Sequence, residues 1–400
     1  MTKIKWIEID NFRGISHIRY EPKQINLLIG RNNSGKTTVL EAIYSNLTGR
    51  FHEGSRNKER VFRIYDVKFG ANRAEIKSDI HNVVLYAIDK ELPDSIHAEY
   101  VVKCYESLHK IFEKKNVSVD IIRDLTEFII EQLHSSISIY DDSMFISIDP
   151  DNLRYSDKSI SAEYLRLIQK MDPMQVQTKD KNRNEYSHLL NRMRYLDDIV
   201  PYIQKIINEN SLPKINNIVH INDINNMLLS SFEDDVKIIE LETIIKERDI
   251  VPNLERLTEK GVVYKSSNGE LTTLPYCMHG DGFFALLQLL YSIKDAAGGV
   301  LLIEEPENHM HPGYLSIFVE QLLEWAKELD IQVFMTTHSY DLIEVLANYS
   351  MHDDTESAEE KKMIQISRIV KYQGEHEIYN YTPDKAFEEM VTFKLDLRGT

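Results

Sequence analysis

The chain has 400 residues, a formal charge of −17 and two cysteines, Cys104 and Cys277. That length exceeds one ordinary domain and predicts a second domain or a large insertion; the acidic balance argues against a uniformly basic nucleic-acid coat while leaving room for a local basic groove. Two cysteines make neither a disulfide framework nor a four-cysteine metal site, and no apolar run approaches the roughly 20 residues that span a bilayer, so the expectation is a reduced, cytoplasmic protein with no membrane segment.

Lys3 to Asp10 alternates loosely and predicts a strand, Asn11 to Gly14 a turn and Ile15 to Tyr20 a second strand. Ile25 to Ile29 reads as a buried strand, and Val39, Leu40, Ile43 and Leu47 follow at helical spacing. Between them Gly30, Gly35, Lys36 and Thr37 satisfy G-x-x-x-x-G-K-[ST]. That loop cradles nucleotide phosphates on backbone N–H groups: the glycines let the chain approach closely, the lysine reaches the β and γ oxygens, and the threonine hydroxyl faces Mg²⁺. Asn32, Asn33, Ser34 and Thr38 complete the candidate phosphate-binding set. A fortuitous glycine turn is the competing reading, and the strand before the loop and the helix after it weigh against that.

From about Ala74 to Leu212 the pattern turns to helices with polar breaks, clearest at Val119, Ile122, Leu125, Ile129 and Leu133 on one helical face, with further helical pieces at Leu165 to Met171 and Leu189 to Ile207. No heptad persists, which argues against a long coiled-coil arm and for a short arm or lid. The domain expectation is therefore an N-terminal lobe over residues 1–74, a helical insertion over 75–215 and a C-terminal lobe over 216–400.

The last lobe predicts a helix from Val236 to Arg248, a hairpin of Gly261 to Lys265 and Leu271 to Leu274, an apolar helix from Phe283 to Ile293 and a buried strand from Val300 to Ile303. An amphipathic helix from Tyr314 to Glu328, a buried strand from Gln332 to Met335 and a helix from Tyr340 to Leu346 follow, an alternation that suits a parallel α/β sheet. The tail predicts strands at Ile364 to Tyr372 and Glu377 to Tyr381 and a helix from Pro383 to Met390.

Hydrolysis needs a metal-holding acid and a group that positions water. Val300 to Pro306, VLLIEEP, is an apolar strand ending in two carboxylates, with Glu304 in the metal-side position and Glu305 in the general-base position. A strand simply ending in solvated acids would be the better reading had no phosphate loop preceded it. His338, at the end of the next buried strand, suits a γ-phosphate sensor, since α/β sheets bind ligands at the C-terminal ends of their strands; a polar strand cap is the alternative.

The order ExxNFRG, GRNNSGKTT, GDG before an apolar helix, LLIEEPENHMHP and TTHS resembles the ABC-type ATPase heads of the SMC, RecF and OLD group. Within that group it is most similar to the compact OLD-like AAA_15 or AAA_21 proteins of bacterial anti-phage defence, including a close like Leu395 to Gly399. The resemblance covers residues 1–47 and about 260–400. It implies an α/β P-loop NTPase head of ABC type with a mixed sheet and an inserted helical subdomain, using ATP and Mg²⁺, the metal held by Thr37 and Glu304. It further implies that Gly280, Asp281 and Gly282 form the signature motif that closes over a second copy's nucleotide, giving a homodimer or higher homo-oligomer. Asn308 to Pro312 resembles the D-loop at the same interface, and Arg13 of the NFRG turn would approach the phosphates, a surface arginine being the other reading. Two residues depart from the pattern: Met278 stands where a serine is usual, and Glu304 where an aspartate is. The glutamine of the usual Q-loop is not located.

Asp149 and Asp151 mimic a nuclease DxD, yet lack the companion glutamate and lie before His338 rather than after it. His309 and His311 lack ligand spacing to a third group, so the D-loop explanation is preferred to zinc. Residues 353–362 read as a solvated charge run. The leading expectation is an ATPase whose ATP-dependent head pairing controls an effector, a nuclease or toxin, in anti-phage defence; the alternative is a RecF- or SMC-like DNA-binding ATPase in repair, and a nuclease in this chain is the weakest reading.

Overall fold

The structure, a computed structural model, describes residues 3–49, 51–52, 59–60, 66–71, 73–87, 136–140, 143–147, 217–221, 235–258, 260–308, 310–349, 361–392 and 396–397. Its N-terminal strands are β1 (Ile7–Asp10), β2 (His17–Tyr20) and β3 (Ile25–Ile29), followed by helix α1 (Lys36–Thr48). Next come β4 (Phe51–His52) and β5 (Glu59–Arg60), which pair with each other, then β6 (Arg73–Ser78), β7 (Asn82–Ala87), β8 (Ser136–Tyr140) and β9 (Ser143–Ser147). The C-terminal part begins with β10 (Ile218–Ile221), α2 (Asp235–Glu247) and the meander β11 (Leu254–Thr258), β12 (Gly261–Lys265) and β13 (Leu271–Leu274). It continues through α3 (Asp281–Asp295), β14 (Val300–Glu304), α4 (Pro312–Glu328), β15 (Gln332–Thr336) and α5 (Tyr340–Tyr349) to β16 (Ile364–Tyr372), β17 (Glu375–Tyr381) and α6 (Pro383–Phe387).

The central sheet has the order β10-β14-β15-β3-β16-β17, parallel throughout except for the antiparallel edge hairpin β16–β17. Every residue of β3 and of β15 is buried, as a strand covered on both faces requires. The pleat sorts their side chains into two cores. Ile25, Leu27, Ile29, Leu301, Ile303, Val333 and Met335 pack with α2 to α6 on one face. Leu28, Val300, Leu302 and Phe334 pack with Val39, Leu40, Ile43 and Leu47 of α1 and with the N-terminal strands on the other. α1 and α3 therefore lie on opposite faces of the sheet. The registers Thr336↔Leu28 and Glu304↔Thr336 align the C-terminal ends of β3, β15 and β14 along one edge, where parallel α/β sheets bind ligands.

A second, antiparallel sheet runs β2-β1-β6-β7-β8-β9. The boundary expected at residue 74 runs through a strand: residue 74 falls inside β6, and β7, β8 and β9 extend the sheet that β1 and β2 begin. The reason is the period-two burial of Arg73–Ser78, with Ala74, Ile76 and Ser78 inward, a six-residue signal too short to stand out beside charged neighbours. The helical faces expected at 119–133, 165–171 and 189–207, and Asp149 and Asp151, lie outside the described residues. At the other end, the expected helix from Pro383 to Met390 is α-helical only to Phe387 and continues as a π-helical turn, Glu388–Thr392.

Candidate functional site

The phosphate-loop segment leaves β3 and enters α1 at the edge just described. Gly30 has φ +148°, and a Cβ there would come within 2.4 Å of the Ile369 carbonyl oxygen on β16, so no side chain fits without moving backbone. Asn33 (φ +61°) and Gly35 (φ +103°) complete the turn, Gly35 capping α1 in the left-handed region. Asn32, Asn33 and Thr37 are exposed, Thr38 is half-buried, and Ser34 is buried with an Oγ that has no hydrogen-bond partner among the described residues. Lys36 Nζ donates to Gly30 O at 2.8 Å and Arg31 O at 3.0 Å. Burial pulls the Lys36 ammonium down to about 8, while Glu305 and Glu307 pull the other way.

Two carboxylates converge on this loop from the end of β14. The Glu304 carboxyl is pushed up to about 7 by burial; a hydrogen bond from the Thr37 hydroxyl lowers it, the neighbouring Glu305 raises it, and Arg13 lowers it. Thr37 and Glu304 thus touch, and the extra methylene of glutamate does not part them. Beside Glu304, His220 Nε2 lies 3.6 Å from Oε1 with its ring against Tyr44 of α1. Burial holds His220 down to about 3, so this contact joins a neutral imidazole to a carboxyl and is no ion pair. Glu305 sits at φ +47°, its N–H donating to Thr336 O at 3.0 Å; Asn308 Nδ2 donates to its Oε2 at 3.1 Å, and its Oε1 is 3.7 Å from His338 Nε2. The structure therefore brings Lys36, Thr37, Glu304, Glu305 and His338 together.

His338 follows β15 in a turn that Glu307 organises. Glu307 Oε1 accepts from Thr337 Oγ1 at 2.5 Å and from the N–H groups of His338 and Ser339 at 3.1 Å each. Burial pushes the Glu307 carboxyl above the usual range, against the pull of those donors. Arg13, at φ +49°, is committed within the chain: Nε lies 2.9 Å from Asp66 Oδ1, and the guanidinium pairs with Glu41 of α1. Both acids are buried, and Arg13 remains close enough to Glu304 to lower its pKa.

Gly280 caps α3, with Asp281 exposed and Gly282 half-buried in its first turn. Being on the opposite face of the sheet from α1, these three residues do not join the Lys36 constellation. His279 is tied to its own lobe, Nε2 at 2.5 Å from the Tyr264 hydroxyl and Nδ1 at 3.2 Å from Pro275 O, and Met278 is 69% exposed. His311 caps α4 by accepting from Gly313 N at 3.2 Å, a local role for one of the two histidines; His309 lies outside the described residues.

Sequence reasoning missed Glu307, His220, Asp66 and Glu41. Glu307 is the third acid of the EEPEN run and was open to notice; His220 sits in a four-residue strand with no pattern around it. The oxygen donors of Thr37 and Glu304, beside a loop whose Gly30 admits no Cβ, fit a hard divalent cation and a phosphate chain.

Residues 25–344 match the family model AAA_21, described as "AAA domain, putative AbiEii toxin, Type IV TA system". The chain is 22% identical over 360 residues to an ATP/GTP phosphatase of Helicobacter pylori, covering 86% of this chain and 87% of that one. It is 42% identical to the DNA replication and repair protein RecF of Clostridium tetani over 59 residues, which is 14% of this chain and 16% of that protein. Among solved structures, the SMC head domain from Thermotoga maritima aligns with a TM-score of 0.42 at 11% identity, over 95% of this chain and 99% of that one. Among the described residues no helix is long and apolar enough to cross a membrane.

Proposed function

The chain belongs to the AAA_21 family, and from that premise and the geometry above we propose that it binds ATP with Mg²⁺ and hydrolyses it to ADP and phosphate. The observation that carries this reading is the meeting of Lys36, Thr37, Glu304, Glu305 and His338, drawn from both ends of the chain, at the C-terminal ends of three neighbouring parallel strands. The relative named as an ATP/GTP phosphatase, aligned over most of both chains, supports it.

Lys36 and the loop N–H groups neutralise the phosphate chain. Thr37 and Glu304 would hold Mg²⁺, which when bound offsets charge on the β and γ oxygens. Glu305 accepts the proton of the attacking water, its carboxylate steadied by Asn308. His338 contacts the γ-phosphate. Arg13, paired with Asp66 and Glu41, sets the field at Glu304.

In this reading the nucleotide is completed by a second copy, whose Gly280, Asp281 and Gly282 and 308–312 segment close over it. The open space beside Gly280 and the exposure of Met278 support an approachable surface there. ATP-dependent pairing then controls an effector, a nuclease or toxin, in anti-phage defence, a role supported by the toxin named in the family description. A DNA-repair role has the short RecF alignment in its favour. ATP-stimulated, salt-dependent DNA binding would select it, whereas an effector encoded next to this chain would select the first.

Glu305→Gln tests the chemistry. Phosphate release should fall by about 10²–10⁴-fold while a fluorescent ATP analogue still binds; undiminished turnover removes Glu305 from its role.

A further inference from the structure

We propose that Glu307 is the positioning residue of the site: it holds the His338 turn opposite Glu305 and links that turn to segment 308–312, through which a second copy would be sensed. The inference rests on the ATPase reading above.

One carboxylate oxygen gathers three donors from three consecutive residues, the Thr337 hydroxyl and the His338 and Ser339 N–H groups. Thr337 Oγ1 accepts from Ser339 N at 2.8 Å, closing the turn on itself, and Thr337 N donates to Leu28 O at 3.2 Å, anchoring it to β3. The His338 backbone is thereby held between β3 and the chain that follows β14. Its Nε2 then lies 3.7 Å from Glu305 Oε1. An acid at this point also faces the N-terminus of α5, where a negative charge is favoured.

The same glutamate is fastened to the other side of the site. Asn308 N donates to Glu305 O and Met310 N to Glu307 O, each at 3.0 Å, so the backbone of Glu307 and Asn308 is tied to residues on either side of it. Glu307 is the residue before Asn308. Its three hydrogen bonds to Thr337, His338 and Ser339 therefore join the chain at Asn308 to the His338 turn. The second oxygen, Oε2, is buried without a hydrogen-bond partner among the described residues, a costly arrangement for a group serving only to cap a helix, since Ser339 Oγ already accepts from Leu342 N at 3.4 Å.

The test compares Glu307→Ala, Glu307→Gln, His338→Ala and the Glu307→Ala/His338→Ala double variant of the full chain in steady-state ATP hydrolysis. Misplacing a group by about 1 Å can cost about 100-fold. Glu307→Ala is expected to lower kcat by roughly ten- to a hundredfold with KM for ATP nearly unchanged, because the loss falls on the reacting geometry. Glu307→Gln, which keeps an accepting oxygen, should retain most of the turnover. In the His338→Ala background, Glu307→Ala should cost less than about twofold, since both changes remove one function. Wild-type kcat in Glu307→Ala, or an equal loss with and without His338, overturns the proposal. Should Glu307→Ala fail to fold by circular dichroism, Thr337→Val removes one donor and must show the same non-additivity with His338→Ala. Absence of turnover in the wild-type chain refutes the ATPase reading and this inference with it; turnover in the wild-type chain that is undiminished by Glu307→Ala refutes this inference alone.

Discussion

Glu304 carries an energetic burden that its removal should expose. In the folded chain burial pushes its carboxyl from 4.5 up to about 7, and its side chain is 18% exposed. Between those values the native state keeps a proton that the unfolded state has released. The contribution of this one group to stability is therefore fully present below about pH 4.5 and declines as pH rises, by about 1.4 kcal/mol per unit, until the folded carboxyl ionises near pH 7. The accumulated loss is about 3 kcal/mol. Glu304→Gln keeps the shape and an acceptor for the Thr37 hydroxyl and removes the titration. Its thermal midpoint should match the wild type at pH 4.5 and exceed it by roughly 5 °C at pH 8, at about 1–2 °C per kcal/mol for a chain of this size. Scanning calorimetry without Mg²⁺ or nucleotide at both pH values makes the measurement. A midpoint difference that is the same at pH 4.5 and pH 8 would refute the burial account. The same variant should lose Mg²⁺-dependent hydrolysis, as expected where a charge costly to the fold is kept for its chemistry.

Gly30→Ala sets a Cβ 2.4 Å from Ile369 O at φ +148°, so a loss of more than about 2 kcal/mol and of nucleotide-analogue binding is expected, read by thermal shift and fluorescence titration. Arg13→Ala removes the guanidinium that pairs with the buried Asp66 and Glu41, and should destabilise by about 3–5 kcal/mol; the double variant Asp66→Asn/Glu41→Gln in that background should recover part of it in urea unfolding. His220, held neutral down to about pH 3, makes the fold lose about 1.4 kcal/mol for each unit that pH falls from 6.5 toward 3, because only the unfolded chain takes the proton. His220→Phe should flatten that part of the acid-unfolding curve followed by circular dichroism.

Much of the site was legible because its signals are local. Gly30, Gly35, Lys36 and Thr37 act through the conformation of eight consecutive residues, between a strand and a helix whose periodicities are strong, and the buried runs Ile25–Ile29, Val300–Glu304 and Gln332–Thr336 announce a parallel sheet by composition. The hairpin β12–β13 was readable from the turn residues between its strands, and the strand Ile364–Tyr372 from its apolar run. β6 was not, because its half-buried alternation is six residues long. The ion pairs of Arg13 with Asp66 and Glu41 were not legible either, because those partners are distant in sequence and nothing local marks the pairing.

By itself, then, the sequence determined the phosphate loop, the paired acids after an apolar strand and the histidine after the next, since each is a short run whose chemistry does not depend on the rest of the chain. Only the tertiary structure decided that these runs share one edge, because that follows from the strand order β14-β15-β3 and its register, which hydrophobic pattern alone does not specify. It also decided which charges are costly. Burial, set by what packs against a residue from elsewhere in the chain, raises Glu304, silences His220 and turns Glu307 from one acid among three into the clamp on His338.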